Sequence, residues 1–285
     1  MKISASKVKN SLFDHFSSIG MNFDVKGYVK SLEANLVMLF PNWLDIKKEL
    51  GDGQGGELKP DTNGVIKFQA THSSSALCVN NFASFKENLN HISFLGQHNF
   101  TNAKFEKKLG TGISTPNLDF FLENDQSIIG VESKFLEPLG PKLPNYDGNL
   151  AKYQNRKELD YLPDGFLELI EKYVASKDKL HLDVSQLIKH SIGILKASKA
   201  KNIGNPNSPI FKPILAYIYW VPINWYHFEV YRKHEDEIAR FKKDLDAFLS
   251  FIPLNYQQFW NYYENDDLLL DSIMMCKRRY NIELS

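Results

Sequence analysis

Two consecutive apolar segments of this chain carry charged residues at positions that would otherwise be interpreted as buried strand. The first segment, residues 117–123, reads NLDFFLE and contains Asp119. The second, residues 127–136, reads SIIGVESKFL and contains Glu132 and Lys134. Burying a charge costs free energy unless the charge is paired or binds a metal ion. The two segments therefore constrain both the fold and the chemistry that the fold can support.

The short connection between the segments predicts that they pair as a β-hairpin. A two-residue loop and a four-residue loop give the same register, and in both Asp119 lies directly across from Glu132. A three-residue loop would shift the register by one residue and separate the two acids. Side chains alternate along a strand, so Lys134 shares the face of Glu132 while Ser133 points to the other face. The hairpin thus brings two carboxylates and one ammonium together, with opposed Cβ atoms about 5 Å apart.

Like charges that lie directly opposite each other destabilise a sheet, so the carboxylates of Asp119 and Glu132 need to be neutralised. Lys134 can supply part of the positive charge. A divalent cation would supply more, because hard cations such as Mg²⁺ prefer carboxylate and water oxygens. The alternative is a solvated strand face that carries an Asp, a Glu and a Lys without any function. We favour a functional cluster because apolar residues flank both acids.

Hydrophobic periodicity predicts an α/β fold with a central mixed β-sheet flanked by helices, and with helical additions at both ends. We expect one domain over residues 1–285, with its core at about 70–225 and the additions at 1–50 and 228–285. The segment 137–165 is rich in Pro, Gly, Asn and Tyr and is expected to be a long excursion. Helices are predicted over residues 24–40, 73–86, 166–176, 183–198 and most of 228–280, and strands over 91–95, 102–109, 117–123, 127–136 and 213–222.

Charge and cysteine content argue against several classes of protein. Lys plus Arg and Asp plus Glu each total 34, which does not favour a protein that coats nucleic acid non-specifically but allows a locally basic groove. Cys78 and Cys276 lack the spacing of a zinc site and predict no disulfide framework. The first residues lack an apolar signal-peptide core, and no apolar run approaches the roughly 18 residues of a membrane span. We therefore expect a cytoplasmic protein with no membrane partner.

The acidic hairpin carries a resemblance to a known family. PNLD at 116–119, a short hairpin and ESK at 132–134 resemble the PD-(D/E)xK nuclease superfamily, which is named after this arrangement. The wider pattern HSSSALCVNNF, FEKKLG, NLDFFLE, VESKF and QLIKH is similar to its PGN_0703-like restriction-endonuclease-like branch over about residues 70–225. One departure is that a leucine precedes Asp119, while Pro116 lies three residues before the acid. The resemblance implies a restriction-endonuclease-like fold and a metal-dependent endonuclease that acts on DNA in restriction or defence.

The resemblance also implies roles for individual residues. Asp119 and Glu132 would bind Mg²⁺, or Mn²⁺ as a substitute, with help from the backbone carbonyl of Ser133. Lys134 would orient or deprotonate the attacking water and stabilise charge on the phosphate. Gln186 lies where such nucleases often place a glutamine, on the helix that follows the hairpin. Phosphodiester hydrolysis needs a positioned nucleophile and a neutralised phosphate, and this set of groups can supply both.

Four residues admit more than one interpretation. Glu106 is either a further acid of the site or one charge of the run KFEKK on a solvated face. Gln186 either bonds a phosphate or a water molecule or is an exposed helix residue. His190 follows Gln186 by four residues and so shares its helix face, which makes it a weaker candidate for the same site. His72 either contacts a phosphate or is a capping or core polar group.

DNA is the expected partner, and cleavage of both strands of a two-fold symmetric site would suit a homodimer. The lysines of segment 195–209 and the cluster CKRRY at 276–280 are either phosphate contacts or the cationic ends of helices. One alternative function is a nucleic-acid- or partner-binding module on a nuclease-like fold that does not cleave. Another is a structural protein with a charged hairpin face. The joint presence of Asp119, Glu132 and Lys134 favours the endonuclease.

Overall fold

The computed structural model describes residues 1–53, 56–204 and 211–285 of the chain. The strands are β1 (Asn102–Lys108), β2 (Asn117–Glu123), β3 (Ser127–Lys134), β4 (Lys212–Tyr219) and β5 (Ser250–Asn255). They form one sheet in the order β1-β2-β3-β4-β5. Strands β1, β2 and β3 pair antiparallel, whereas β3, β4 and β5 pair parallel, so the sheet is mixed. The predicted α/β class with a central mixed sheet is confirmed.

Helices cover both faces of this sheet. The helices are α1 (Ala5–Ser18), α2 (Trp43–Asp52), α3 (Ser74–Glu87), α4 (Phe166–Ala175), α5 (Val184–Gly204), α6 (Glu229–Leu245), α7 (Tyr256–Tyr263) and α8 (Leu270–Tyr280). Helices α3 and α7 pack on one face, and α5 and α6 pack on the other. Among the described helices, none combines the length and the apolar character needed to cross a bilayer.

Most predicted elements are confirmed, because their signals are local. The apolar run that predicted a doubly buried strand forms β4, whose residues from Ile214 onward are all buried. Helix α3 begins after Ser73, whose side chain accepts a hydrogen bond from the backbone N–H of Ala76 at 3.2 Å. Helix α5 begins where predicted and continues beyond residue 198 to Gly204.

The prediction of a helix over residues 24–40 is wrong. The Asp24 carboxylate accepts hydrogen bonds from the backbone N–H groups of Lys26 and Tyr28, each at 2.9 Å, and so closes a turn instead of capping a helix. Gly27 within this turn has φ +85°, and Val25, counted on the apolar stripe, is 98% exposed. The helical spacing was therefore coincidental, because local side-chain hydrogen bonds compete with helix formation.

The prediction of a strand over residues 91–95 is also wrong. Phe94 and Gln97 form only an isolated bridge, with backbone hydrogen bonds in both directions. Between them, Leu95 has φ 52° and Gly96 has φ 73°, which reverse the chain within two residues. The apolar residues of this segment pack in the core, although the segment forms a tight turn and not a strand.

Strand β5 was missed because it lies within a stretch whose pattern predicts continuous helix. Its Phe251 packs against Phe241 of α6 with ring centroids 5.2 Å apart, so tertiary packing decides its conformation. Asp246 accepts the Phe251 N–H at 3.1 Å just beyond the end of α6. Asn255 and Gln258 then form a capping box that starts α7.

The predicted excursion over residues 137–165, here called the 137–165 segment, contains only short 3-10 turns. It is pinned to the connection before α5, because Lys142 and Leu180 exchange two backbone hydrogen bonds of 2.8 Å each. The segment thereby borders the same face of the sheet as the start of α5. The charged side chains of the hairpin lie on that same face.

Candidate active site

The predicted register of the acidic hairpin is confirmed. Strands β2 and β3 pair Phe120 with Val131 and Glu123 with Ile128, and the next pair in this series is Asp119 with Glu132. On its other side, β2 pairs with β1 in a register whose flanking pairs place Glu106 across from Asp119. Three adjacent strands thus carry a row of three carboxylates, here called the acidic row: Glu106, Asp119 and Glu132.

Backbone pairing is interrupted where the acidic row crosses the sheet. The regular β2–β3 ladder ends at Phe120 and Val131, and the β1–β2 ladder omits Glu106 and Asp119. Glu106 has φ 50°, outside the range of a regular strand. The Asp119 Oδ2 atom instead accepts the backbone N–H of Ser133 at 2.7 Å. A side-chain carboxylate thereby replaces a strand carbonyl as the partner of this N–H, which fixes the position of Asp119.

Glu132 is fully buried and is held between two basic side chains. Lys134 Nζ contacts Oε1 of Glu132, and His190 Nε2 from α5 lies 2.8 Å from Oε2. Burial would raise the pKa of Glu132, but the ammonium of Lys134 and the contact with His190 outweigh burial and lower it to about 2. Glu132 is therefore ionised at neutral pH.

The pKa values of the other two carboxyl groups of the acidic row shift in the opposite direction, upwards. Burial and the neighbouring charge of Glu132 raise the pKa of Asp119 well above its ordinary value. Burial likewise raises the pKa of Glu106 to about 7, although the Asn117 side chain opposes this by donating to Glu106 Oε2 at 3.1 Å. The negative charge of the acidic row is thus only partly compensated by the basic residues around it.

Lys134 remains charged in this environment. Burial alone would lower its pKa, but the carboxylates of Glu132 and Asp119 outweigh burial and raise it well above the ordinary value. Its side chain is only 12% exposed. The ammonium is therefore a fixed positive charge at the inner end of the site.

An open cleft of about 410 Å³ runs between the sheet and the start of α5. Glu106, Asn117 and Asp119 line its sheet side. Lys142 and Tyr146 of the 137–165 segment line another wall. Helix α5 contributes Gln186, Lys189 and His190. A smaller neighbouring pocket reaches Lys134 and shares Gln186 with the cleft.

The structure therefore brings together the five residues expected to carry the chemistry: Asp119, Glu132, Lys134, Gln186 and Glu106. Ser133 contributes its N–H to Asp119, and its hydroxyl pairs with the Tyr256 hydroxyl at 2.7 Å on the opposite face of the sheet. Their functional roles stay predictions. The sequence analysis missed Lys189, although the spacing in QLIKH places it one turn from Gln186.

Two other candidate residues, His72 and Arg279, do not line the cleft. His72 packs near the rings of Phe13 and Tyr28, with centroids 5.9 and 6.5 Å away, and burial lowers its pKa to about 4. Arg279 of the CKRRY cluster is buried and donates to Asn35, so it is a core group rather than a surface phosphate contact. Within the basic segment 195–209, residues 205–209 lie outside the described residues.

The donor set of the acidic row suits a hard divalent cation. Within residues 1–53, 56–204 and 211–285, no three His, Cys, Asp or Glu side chains form a group that could hold a metal ion. Mg²⁺ does not require such a cage, because proteins usually bind it through one or two carboxylates and leave several waters in place. Asp119 and Glu132 are two such groups; burial and then the charge of Glu132 raise the pKa of Asp119, and a cation between the two groups would relieve their repulsion.

A comparison with protein families identifies one match. The model of the family described as Restriction Endonuclease associating with ARP matches residues 2–280. This agrees with the restriction-endonuclease-like resemblance of the sequence and with the mixed α/β sheet. Comparisons with curated proteins and with solved structures gave no significant match.

Proposed function

This chain belongs to the family of restriction endonucleases associating with ARP, and from that premise we propose that it is a divalent-metal-dependent endonuclease that hydrolyses phosphodiester bonds in DNA. The family points to a nuclease-related role in restriction or defence. The observation that supports cleavage most directly is the convergence of Asp119, Glu132 and Lys134, of which Asp119 lines an open cleft and Lys134 lines the pocket beside it.

In this proposal Asp119, Glu132 and the backbone carbonyl of Ser133 hold Mg²⁺, with Mn²⁺ as a substitute. The bound cation would supply Lewis-acid stabilisation of the phosphate and would lower the pKa of a water molecule. The Ser133 N–H orients Asp119 through Oδ2. Among the described residues, Oδ1 of Asp119 has no hydrogen-bond partner, and Asp119 lines the cleft. The chain thus presents a fixed carboxylate to an open space.

Lys134 would stabilise the charge that develops on the phosphate and orient the attacking water, since it is buried, charged and anchored to Glu132. Glu106 would serve as a proton acceptor near the water, because its pKa of about 7 suits proton transfer at neutral pH. Gln186 lines both the cleft and the pocket at Lys134, where its amide would bond the phosphate or the water.

The test is cleavage of supercoiled plasmid DNA with Mg²⁺ or Mn²⁺. The variants are Asp119→Asn and Lys134→Met, which keep side-chain size, and the matched control is Asp125→Asn in the exposed hairpin turn. We expect cleavage by the wild type and the control, and a loss of at least about 100-fold in the two site variants, as expected when a main electrostatic group is removed. Equal cleavage by all four proteins would refute the assignment of the site.

A second function is a DNA- or partner-binding module that does not cleave. The observation in its favour is that Lys134 and His190 already contact both oxygens of Glu132, so the buried carboxylate is compensated without a metal ion. Binding of plasmid DNA by the wild type, with no cleavage under any divalent cation, would support this function over the first.

The family description also names an associated protein, ARP. We propose that this chain acts together with such a partner, and that DNA cleavage at two-fold symmetric sites would use a homodimer. Co-expression followed by size-exclusion chromatography with light scattering tests both ideas. A monomer that does not co-elute with ARP would contradict them, whatever the cleavage result.

A further inference from the structure

Lys189 also lines the cleft, and the proposed function gives it no role. It lies on α5 three residues after Gln186 and directly before His190, so these side chains share one side of the helix. All three line the cleft that is bordered on the sheet side by Asp119 and Glu106. Lys189 therefore faces the same space as the acidic row, from a different wall.

The ammonium of Lys189 lacks a partner. In the parts of the chain that the structure describes, it makes no hydrogen bond and no ion pair, although the side chain is half-buried. The other lysine that lines the cleft differs, because Lys142 lies 3.6 Å from Asp183, and Lys134 in the neighbouring pocket contacts Glu132. Burial lowers the pKa of Lys189, while the more distant charge of Asp183 opposes the shift. A half-buried ammonium without a counter-ion costs free energy in the free protein.

We infer that Lys189 binds a backbone phosphate of the DNA substrate, on the cleft wall opposite the acidic row. This inference rests on DNA being the substrate, as proposed above. A strand that enters the cleft passes the acidic row, whose carboxyl groups offer its phosphates no positive charge. The ammonium of Lys189 on another wall of the same cleft supplies a positive charge that can hold the strand in place. Lysine suits this task because it contacts phosphate as a point charge and reads no sequence.

The experiment compares Lys189→Gln, Lys189→Arg and the control Lys243→Gln, which makes the same change at an exposed position on α6, away from the cleft. Dissociation constants for a short DNA duplex are measured by fluorescence anisotropy over a range of salt concentrations. Each series is run with EDTA and again with Ca²⁺, which binds carboxylate oxygens. Thermal melting of each protein without DNA reports on folding.

Lys189→Gln should weaken binding roughly five- to tenfold and reduce the slope of log K against log salt by about 1, as expected for one lost phosphate contact. Lys189→Arg should restore most of the affinity. Without DNA, Lys189→Gln should melt at or above the wild-type temperature, because it removes an unpaired buried charge. A purely structural lysine would show the reverse, with a lower melting temperature and unchanged binding.

The inference is overturned if Lys189→Gln binds with the same affinity and salt slope as Lys243→Gln, or if the wild type does not bind DNA in either buffer. Cleavage is scored separately. A wild type that binds DNA through Lys189 without cutting it would leave this inference standing and would refute the proposed cleavage.

Discussion

His190 Nε2 lies 2.8 Å from Glu132 Oε2, and both residues are almost completely shielded from solvent. The two residues come from different elements, α5 and β3, so their contact joins the helix to the strand. Lys134 contacts the other oxygen of the same carboxylate. Glu132 is thus the centre of a buried charge cluster, and the four predictions below concern this cluster and its neighbours.

His190→Gln should lower the free energy of unfolding by about 1–3 kcal/mol. The substitution removes one of two partners from a buried carboxylate, and Lys134 remains to limit the loss. Urea unfolding measures the change. The exposed His91 offers a matched control, since His91→Gln should change stability by less than about 0.5 kcal/mol. Equal stability of the two variants would show that the His190 contact contributes nothing.

Asp119→Asn should stabilise the protein at pH 7 to 8 while it abolishes cleavage. The raised pKa of Asp119 means that ionisation of this group in the folded state opposes folding, chiefly because of burial and then Glu132. The neutral amide removes that cost and keeps the shape. Thermal melting without divalent cations measures the effect, and Asp125→Asn in the exposed turn is the control. A lower melting temperature for Asp119→Asn would contradict the account.

Glu106 should make stability depend on pH in a defined direction. Its pKa rises on folding from 4.5 to about 7, so the folded state binds more protons, and stability falls as pH increases from about 4.5 to 7. The shift corresponds to an upper limit of about 3 kcal/mol. Glu106→Gln should flatten this part of the profile. Denaturant unfolding of the wild type and of Glu106→Gln between pH 4 and 8 measures both stability profiles. Parallel profiles would contradict the prediction.

Divalent cations should stabilise the folded chain. A cation at about ten times its dissociation constant adds about 1.4 kcal/mol, or a rise of a few degrees in melting temperature. The rise should disappear in Asp119→Ala and persist in Asp125→Ala. Differential scanning fluorimetry with Mg²⁺, Mn²⁺ and EDTA measures it. An equal rise in both variants would place the cation elsewhere on the surface.

Some of the site follows from the sequence, and some does not. The pairing of Asp119 with Glu132 was predicted because a short turn and the two-residue alternation of strands leave few registers. The same alternation was not enough for Glu106, which could equally have been solvated. Its burial and its raised pKa depend on how β1 packs against the rest of the molecule.

By itself, the sequence determined the elements with strong local signals: the acidic hairpin, the buried strand β4 and helix α5. Only the tertiary structure decided that β5 joins the sheet and that His190 and Lys189 face the acidic row. The physical reason is the separation along the chain of the residues that interact. Periodicity and turn chemistry act between neighbours in the chain, whereas these outcomes depend on packing between segments that are distant in sequence. A carboxylate and a histidine in separate elements meet only when the whole core has formed.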